Sequence, residues 1–327
     1  MKTFSANEKS AAPVKIGEVV KGKGNMGLVK APDTCQDPLV VGIYGGPGAG
    51  KSRFCATAPG AIGWIATESK SRQTGIREAA RMGKELYLPS VDGKEMSLIR
   101  TANPMMLASL PESCMVIGSE RTKNWKPGEI QDEMQKIAAK ITITSAPPDC
   151  CKRHYYRWHV NRVKHFAYQM LENDEIKTVV VDTFGTFVDD VSMANYGITG
   201  VIDSKEYGFA PREDMIKEIR EFLNNMSQKN LILTHHQKQV WKDNAPTKKM
   251  TLDGKFSRLG HYISVMIHLE RDDDRNVEKD EPLYKLTVQD CQANAEIVGL
   301  ELLTDDMITF QNLAVAVYPD TSEEEWE

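Results

Sequence analysis

An α/β domain built on a mostly parallel, helix-flanked sheet, with an insertion, is the fold class this sequence predicts. Three observations predict it. Continuous apolar runs at 39–44, 61–67, 178–182 and 231–234 alternate with helical stretches, the pattern of strands buried on both faces. A glycine-rich loop lies between the first run and a helix, and the run at 178–182 ends on an acidic residue. The 327 residues, 41% hydrophobic and 27% charged, suit one large globular domain.

Residues 1–37 scatter Lys2, Lys9, Lys15, Lys21, Lys23 and Lys30 among Gly, Ala, Ser and Pro without a period, which predicts a flexible basic arm. The domain proper spans 38–318. Its first strand, Leu39-Val40-Val41-Gly42-Ile43-Tyr44, enters the glycine loop, and a helix from Lys51 to Thr57 stops before Pro59-Gly60. The strand Ala61-Ile62-Gly63-Trp64-Ile65-Ala66-Thr67 ends at Glu68. Residues from about 70 to 140 are expected as an insertion, with charged helical stretches, a candidate strand Cys114-Met115-Val116-Ile117 and a Pro- and Lys-rich loop at 121–128. Alternation returns at Ile141-Thr142-Ile143-Thr144. A helix over about 157–172 carries Val160, Val163, Ala167, Met170 and Leu171 on one face. The strand Thr178-Val179-Val180-Val181-Asp182, a helix at about 209–228 and the strand Leu231-Ile232-Leu233-Thr234 follow. Candidate strands at 262–269 and 283–289 precede an acidic tail at 319–327.

A formal net charge of -5 excludes a global basic field, so a nucleic-acid partner needs a local basic patch. No apolar run reaches the length of a membrane span, and Met1-Lys2-Thr3-Phe4 lacks a signal-peptide layout. Six scattered cysteines fit a reduced, cytoplasmic setting. Cys150, Cys151, His154, His159 and His165 match no standard zinc spacing.

The loop Gly45-Gly46-Pro47-Gly48-Ala49-Gly50-Lys51-Ser52 matches G-x-x-x-x-G-K-[ST] at every fixed position and has the required strand-to-helix context. Its glycines let backbone N–H groups converge on phosphates. Lys51 is expected to reach the β- and γ-phosphates of ATP, and the Ser52 hydroxyl to bind Mg²⁺. Asp182, at the carboxyl end of its strand, faces the same crevice and is the candidate second magnesium-site group. Glu68 is placed to polarise the water that attacks the γ-phosphate.

Ile65-Ala66-Thr67-Glu68, Val181-Asp182-Thr183, Lys205-Glu206-Tyr207-Gly208 and Thr234-His235-His236-Gln237-Lys238 stand in the order and spacing of the RecA-like ATPases. Within these, the chain resembles phage-encoded relatives that assist single-strand annealing and homologous recombination. The resemblance covers roughly 38–68 and 141–290. It implies a RecA-like P-loop core that hydrolyses ATP, with Glu68 as the catalytic glutamate and Asp182 as the magnesium aspartate. It also implies that His236, or alternatively His235, senses the γ-phosphate and relays its state to a DNA-binding loop.

The segment after His236 holds Lys238, Lys242, Lys248, Lys249, Lys255 and Arg258 with Trp241 among them, and it occupies the place of that loop. Lysines neutralise phosphates and an indole stacks on an unpaired base, so Lys238, Trp241, Lys242, Lys248 and Lys249 are expected on one mobile loop that contacts single-stranded DNA. Two readings stay open beside this one: a nucleotide-switched loader or assembly ATPase with no DNA contact, and a P-loop small-molecule kinase. The chain departs from the family at Leu286-Thr287-Val288-Gln289-Asp290, which lacks the terminal basic residue that completes a neighbour's ATP site; Lys285 and Arg271 are weak substitutes. A homo-oligomer is compatible with this pattern but not required by it.

Overall fold

The apolar runs become strands because β-branched and aromatic residues fill a pleated surface and find cover on both faces. A computed structural model describes residues 37–98, 152–196, 210–242, 245–252, 260–271, 283–304 and 306–327. In order, the elements are β1 (Val40–Gly45), α1 (Lys51–Cys55), β2 (Ala61–Ala66), α2 (Ser69–Arg81), β3 (Leu86–Tyr87), β4 (Ser90–Val91) and β5 (Lys94–Glu95). There follow α3 (Lys152–Glu172), β6 (Ile176–Asp182), α4 (Phe184–Tyr196), α5 (Ala210–Met226), β7 (Asn230–Lys242) and β8 (Ala245–Leu252). The last are β9 (Val265–Arg271), β10 (Tyr284–Cys291), β11 (Glu301–Leu302) and α6 (Phe310–Val317).

The main sheet runs β11-β10-β9-β1-β7-β6-β2-β3. From β9 to β3 every neighbouring pair is parallel, while β10 and β11 are added by antiparallel pairing. The carboxyl ends of β1, β2, β6, β7 and β9 therefore share one rim, where the loops that carry chemistry emerge. The α/β class with a mostly parallel, helix-flanked sheet is thus the expected one.

The two-residue period of a strand divides each apolar run between two cores. Val40, Tyr44, Val179, Val181, Leu231 and Leu233 face α3, α4 and α5, where Phe184, Phe187 and Phe222 form a ring cluster. Val41, Ile43, Ile62, Trp64, Val180 and Ile232 face the other way, with Phe54 of α1 and Phe310, Leu313 and Val317 of α6. Fully burying one such large side chain contributes about 1.5–3 kcal/mol.

Several elements differ from expectation. Residues 69–87, inside the stretch read as an insertion, form α2 and β3, and β3 pairs in parallel with β2. The strand expected at 231–234 runs on to Lys242 and pairs antiparallel with β8. The lysine segment is thus a β-hairpin along its arms rather than a loop, because residues 237–242 and 245–252 pair their backbones in an antiparallel ladder. The strand expected from 262 starts at Val265, after a 3-10 turn at Gly260–Tyr262. The candidate strands at 114–117 and 141–144, the motif at 205–208 and the N-terminal arm lie outside the described residues.

The residues expected as an acidic tail end in a 3-10 turn, Glu323–Trp326, closed by a capping box on Ser322 and Glu325. Trp326 is 4% exposed, stacks on Tyr318 and donates its indole N–H to Thr321 Oγ1 at 2.9 Å. The Gly60 N–H donates to the Glu327 backbone carbonyl at 3.0 Å. An apolar anchor among the glutamates ties the segment to the domain. Trp326→Ala should therefore lower unfolding free energy by about 3–5 kcal/mol in chemical denaturation. A loss below about 1 kcal/mol would show that this turn is solvated.

Candidate nucleotide site

The turn after β1 is shaped by glycines that no other residue could replace. A Cβ on Gly45 would lie 2.1 Å from the Leu269 carbonyl oxygen, and Gly50 has φ 86°, a left-handed conformation that favours glycine. Lys51 folds back over the loop, its ammonium donating to the carbonyls of Gly45 at 2.7 Å and Gly46 at 2.9 Å. Burial pushes its pKa down, while attraction to Asp182 and Glu68 opposes that shift. Ser52 is the second residue of α1 and is partly buried. This is a glycine loop with one lysine poised over it, which fits a polyphosphate.

Asp182 closes β6 and is 5% exposed. Its Oδ2 accepts from Ser71 Oγ at 2.7 Å, and its Oδ1 accepts from Thr234 Oγ1. Burial raises its pKa; the two hydroxyl donors and Lys51 act against that. Two fixed donors hold the carboxylate in one orientation and leave lone pairs on both oxygens, which fits the outer ligand sphere of a cation bound with phosphates. Neither Ser71 nor Thr234 was picked out from the sequence as part of the site. Thr234 was legible as the polar end of its strand, but nothing in the chain pattern linked Ser71 to Asp182.

Glu68 stands at the mouth of the crevice. Its Oε1 faces Thr183 Oγ1 at 3.1 Å, Thr186 Oγ1 at 3.2 Å and His236 Nε2 at 3.0 Å. The two threonine hydroxyls are also 2.9 Å apart, so two protons serve three contacts and only two of those are made at once. The hydrogen bond from His236 is the main cause that holds the Glu68 carboxyl at about 2; burial pulls the other way. The partner shifts in the matching sense, and the His236 pKa is raised chiefly by Glu68. Both side chains are substantially exposed, at 40% and 59%, so solvent screens the pair and it adds little stability.

The two histidines part company here. β7 runs parallel to β1 with Gly45 level with His236, which delivers His236 to the loop mouth. His235 points to the opposite face, fully buried against the Phe184 ring, and burial drives its pKa down to about 3. Next along β7, the Gln237 amide nitrogen would meet a Cβ on Gly46 at 3.0 Å, and its Oε1 lies 3.3 Å from His268 Nε2. His268 in turn stacks on Tyr44 at 4.6 Å. Gln237 thus links the loop, β9 and the root of the hairpin, a contact that no sequence signal indicated. Lys238, Trp241, Lys242, Lys248 and Lys249 lie further out on β7 and β8.

Lys285 is paired within the chain, 2.6 Å from Glu301 and 3.9 Å from Glu270. His159 sits between Asp190 Oδ2 at 2.8 Å and the Leu98 carbonyl at 2.6 Å, as a buried tie between α3 and α4. Among the described residues no cluster of three ligating side chains could hold a metal ion, and no helix is long and apolar enough to cross a membrane.

No family model matches the chain, and no curated protein does. Among solved structures the chain is similar to the RadB recombinase, at 12% identity over 82% of this chain and 87% of that one, with a TM-score of 0.32. It is also similar to a prototypical ATPase from the type III secretion system of pathogenic bacteria, at 9% identity, covering 86% of this chain and 62% of that one, with a TM-score of 0.37. The α/β core rests on its own strand order and on the glycine loop between β1 and α1.

Proposed function

We propose that this chain binds ATP with Mg²⁺ and hydrolyses it, and that it acts on single-stranded DNA in recombination, annealing or repair. The resemblance to phage-encoded relatives makes a phage protein acting in the host cytoplasm the matching setting. One observation carries the reading: the lysine over the loop, the two carboxylates and the histidine at the root of a basic hairpin converge on one rim of the sheet.

Lys51 would exchange its two carbonyl partners for β- and γ-phosphate oxygens. Ser52 and Asp182 would hold the Mg²⁺ that accompanies the nucleotide and offsets its charge. Glu68 would orient a water and accept its proton as the water oxygen bonds to the γ-phosphorus and the bond to the ADP oxygen breaks. A carboxylate held at about 2 by His236 is a weak base. His236 therefore has two partners to choose between. When it turns to the γ-phosphate it leaves Glu68, whose basicity then rises. The hairpin that continues β7 moves with that choice, since the γ-phosphate contact exists in only one nucleotide state.

The test is DNA affinity across a salt series, with ADP and with a non-hydrolysable ATP analogue, beside ATP turnover with and without DNA. Replacing Lys238, Lys242, Lys248 and Lys249 by Gln should weaken binding and reduce the log–log salt slope by about 0.7 for each lost phosphate contact. Trp241→Ala should cost about 1–3 kcal/mol if the ring stacks on a base, with the slope unchanged. Identical curves for wild type and the lysine variant would remove DNA from the reading and leave the loader. Transfer of the γ-phosphate to an acceptor other than water would make the chain a kinase.

A further inference from the structure

The geometry points to Tyr284 and Arg53 as the platform on which the nucleobase of the bound nucleotide stacks, an inference that rests on the nucleotide-site reading above. It follows from the order of the sheet. The groups that meet the γ-phosphate end, Glu68, Asp182 and His236, belong to the β7-β6-β2 side of the glycine loop. A triphosphate laid across the loop with its γ end there must carry its nucleoside out on the other side, over β9 and β10. β10 is antiparallel to β9 and begins with Tyr284 paired to Arg271 at the carboxyl end of β9. Tyr284 therefore stands on the same rim as the loop, although its strand runs the opposite way.

The ring is built into the loop itself. A Cβ on Gly50 would sit 3.0 Å from Tyr284 Cδ1, so the phenol lies directly against the last glycine before Lys51. The Arg53 guanidinium lies over the same ring, 5.7 Å from its centre. With Phe54, Leu269 and Ile308 these residues line a crevice beside the loop. A phenol and a guanidinium are both planar groups that stack on bases. Stacked flat, the pair would meet a base by its face rather than its edge. The platform should therefore take all four nucleoside triphosphates, purines more tightly than pyrimidines because their faces are larger.

Calorimetry with MgATP and with magnesium tripolyphosphate, which has the phosphates but no base, tests this. Tyr284→Ala should weaken ATP binding on the order of tenfold and leave tripolyphosphate affinity unchanged. Tyr284→Phe should retain ATP affinity. Unchanged tripolyphosphate affinity in the alanine variant also reports an intact loop. Equal losses for both ligands would overturn the platform and make Tyr284 a prop for Gly50. Unchanged ATP affinity would place the base elsewhere. A wild-type protein that binds neither ligand would fail the nucleotide reading itself, and the platform with it. Binding of both ligands by wild type with no selective loss in the variant would fail the platform alone.

Discussion

Glu68→Gln should lower ATP turnover on the order of 10²–10⁴ while leaving ATP binding intact, because the amide keeps the shape but cannot accept the water's proton. Turnover within a few-fold of wild type would assign the water to another group and leave Glu68 as a partner of Thr183, Thr186 and His236 only. The same pair sets the pH dependence. The Glu68 pKa is depressed from 4.5 to about 2, so the pair's contribution is present above the ordinary carboxylate value and is lost as pH falls towards about 2. The His236 pKa is raised from 6.5, so its share is full below that ordinary value and is lost as pH rises through the raised one. Glu68 is most firmly held between these limits. Wild-type turnover should rise as pH climbs through the raised His236 pKa and the ring loses its proton, and Glu68→Gln should abolish that rise. A wild-type profile with no rise above the ordinary histidine value would disconnect His236 from the base.

Lys51→Ala should reduce ATP affinity by about 2–5 kcal/mol, the range for truncating one partner of a buried, hydrogen-bonded charge pair. That corresponds to roughly thirtyfold or more in Kd, with turnover falling alongside. The variant also strips the carbonyls of Gly45 and Gly46 of their ammonium donor and removes the positive charge nearest Asp182. Lys51→Arg separates charge from fit, since a planar fork restores the charge but not the compact head. Calorimetry that finds ATP affinity unchanged in the alanine variant would sink the site assignment.

The strands β1, β2, β6 and the first part of β7 were legible in the chain, because buried parallel strands are written as uninterrupted apolar runs. The glycine loop was legible too, because positive φ and close backbone approach admit few residues other than glycine. α4 and α6 were equally legible. Phe184, Phe187, Val188 and Val191 have the spacing of one helix face, as do Phe310, Leu313, Ala314 and Val317 behind the Thr309 cap.

Other features had no local signature. Nothing near Glu323 shows that Trp326 is an anchor, since a run of glutamates has the same composition whether or not its one indole finds a cavity. The lysine segment reads as a loop because Lys, Gln and Asn favour no strand on their own; pairing with β8 overrides that weak propensity. The choice between His235 and His236 lay beyond any one-dimensional pattern. Adjacent strand residues face opposite ways, so only the parallel register of β7 on β1 decides which ring meets Glu68 and which is buried against Phe184. Likewise Ser71 and Thr234 approach Asp182 from 111 and 52 residues away. The chemical groups at the site are named by the sequence, but their distances and pKa shifts depend on through-space contacts, which exist only once the sheet has closed.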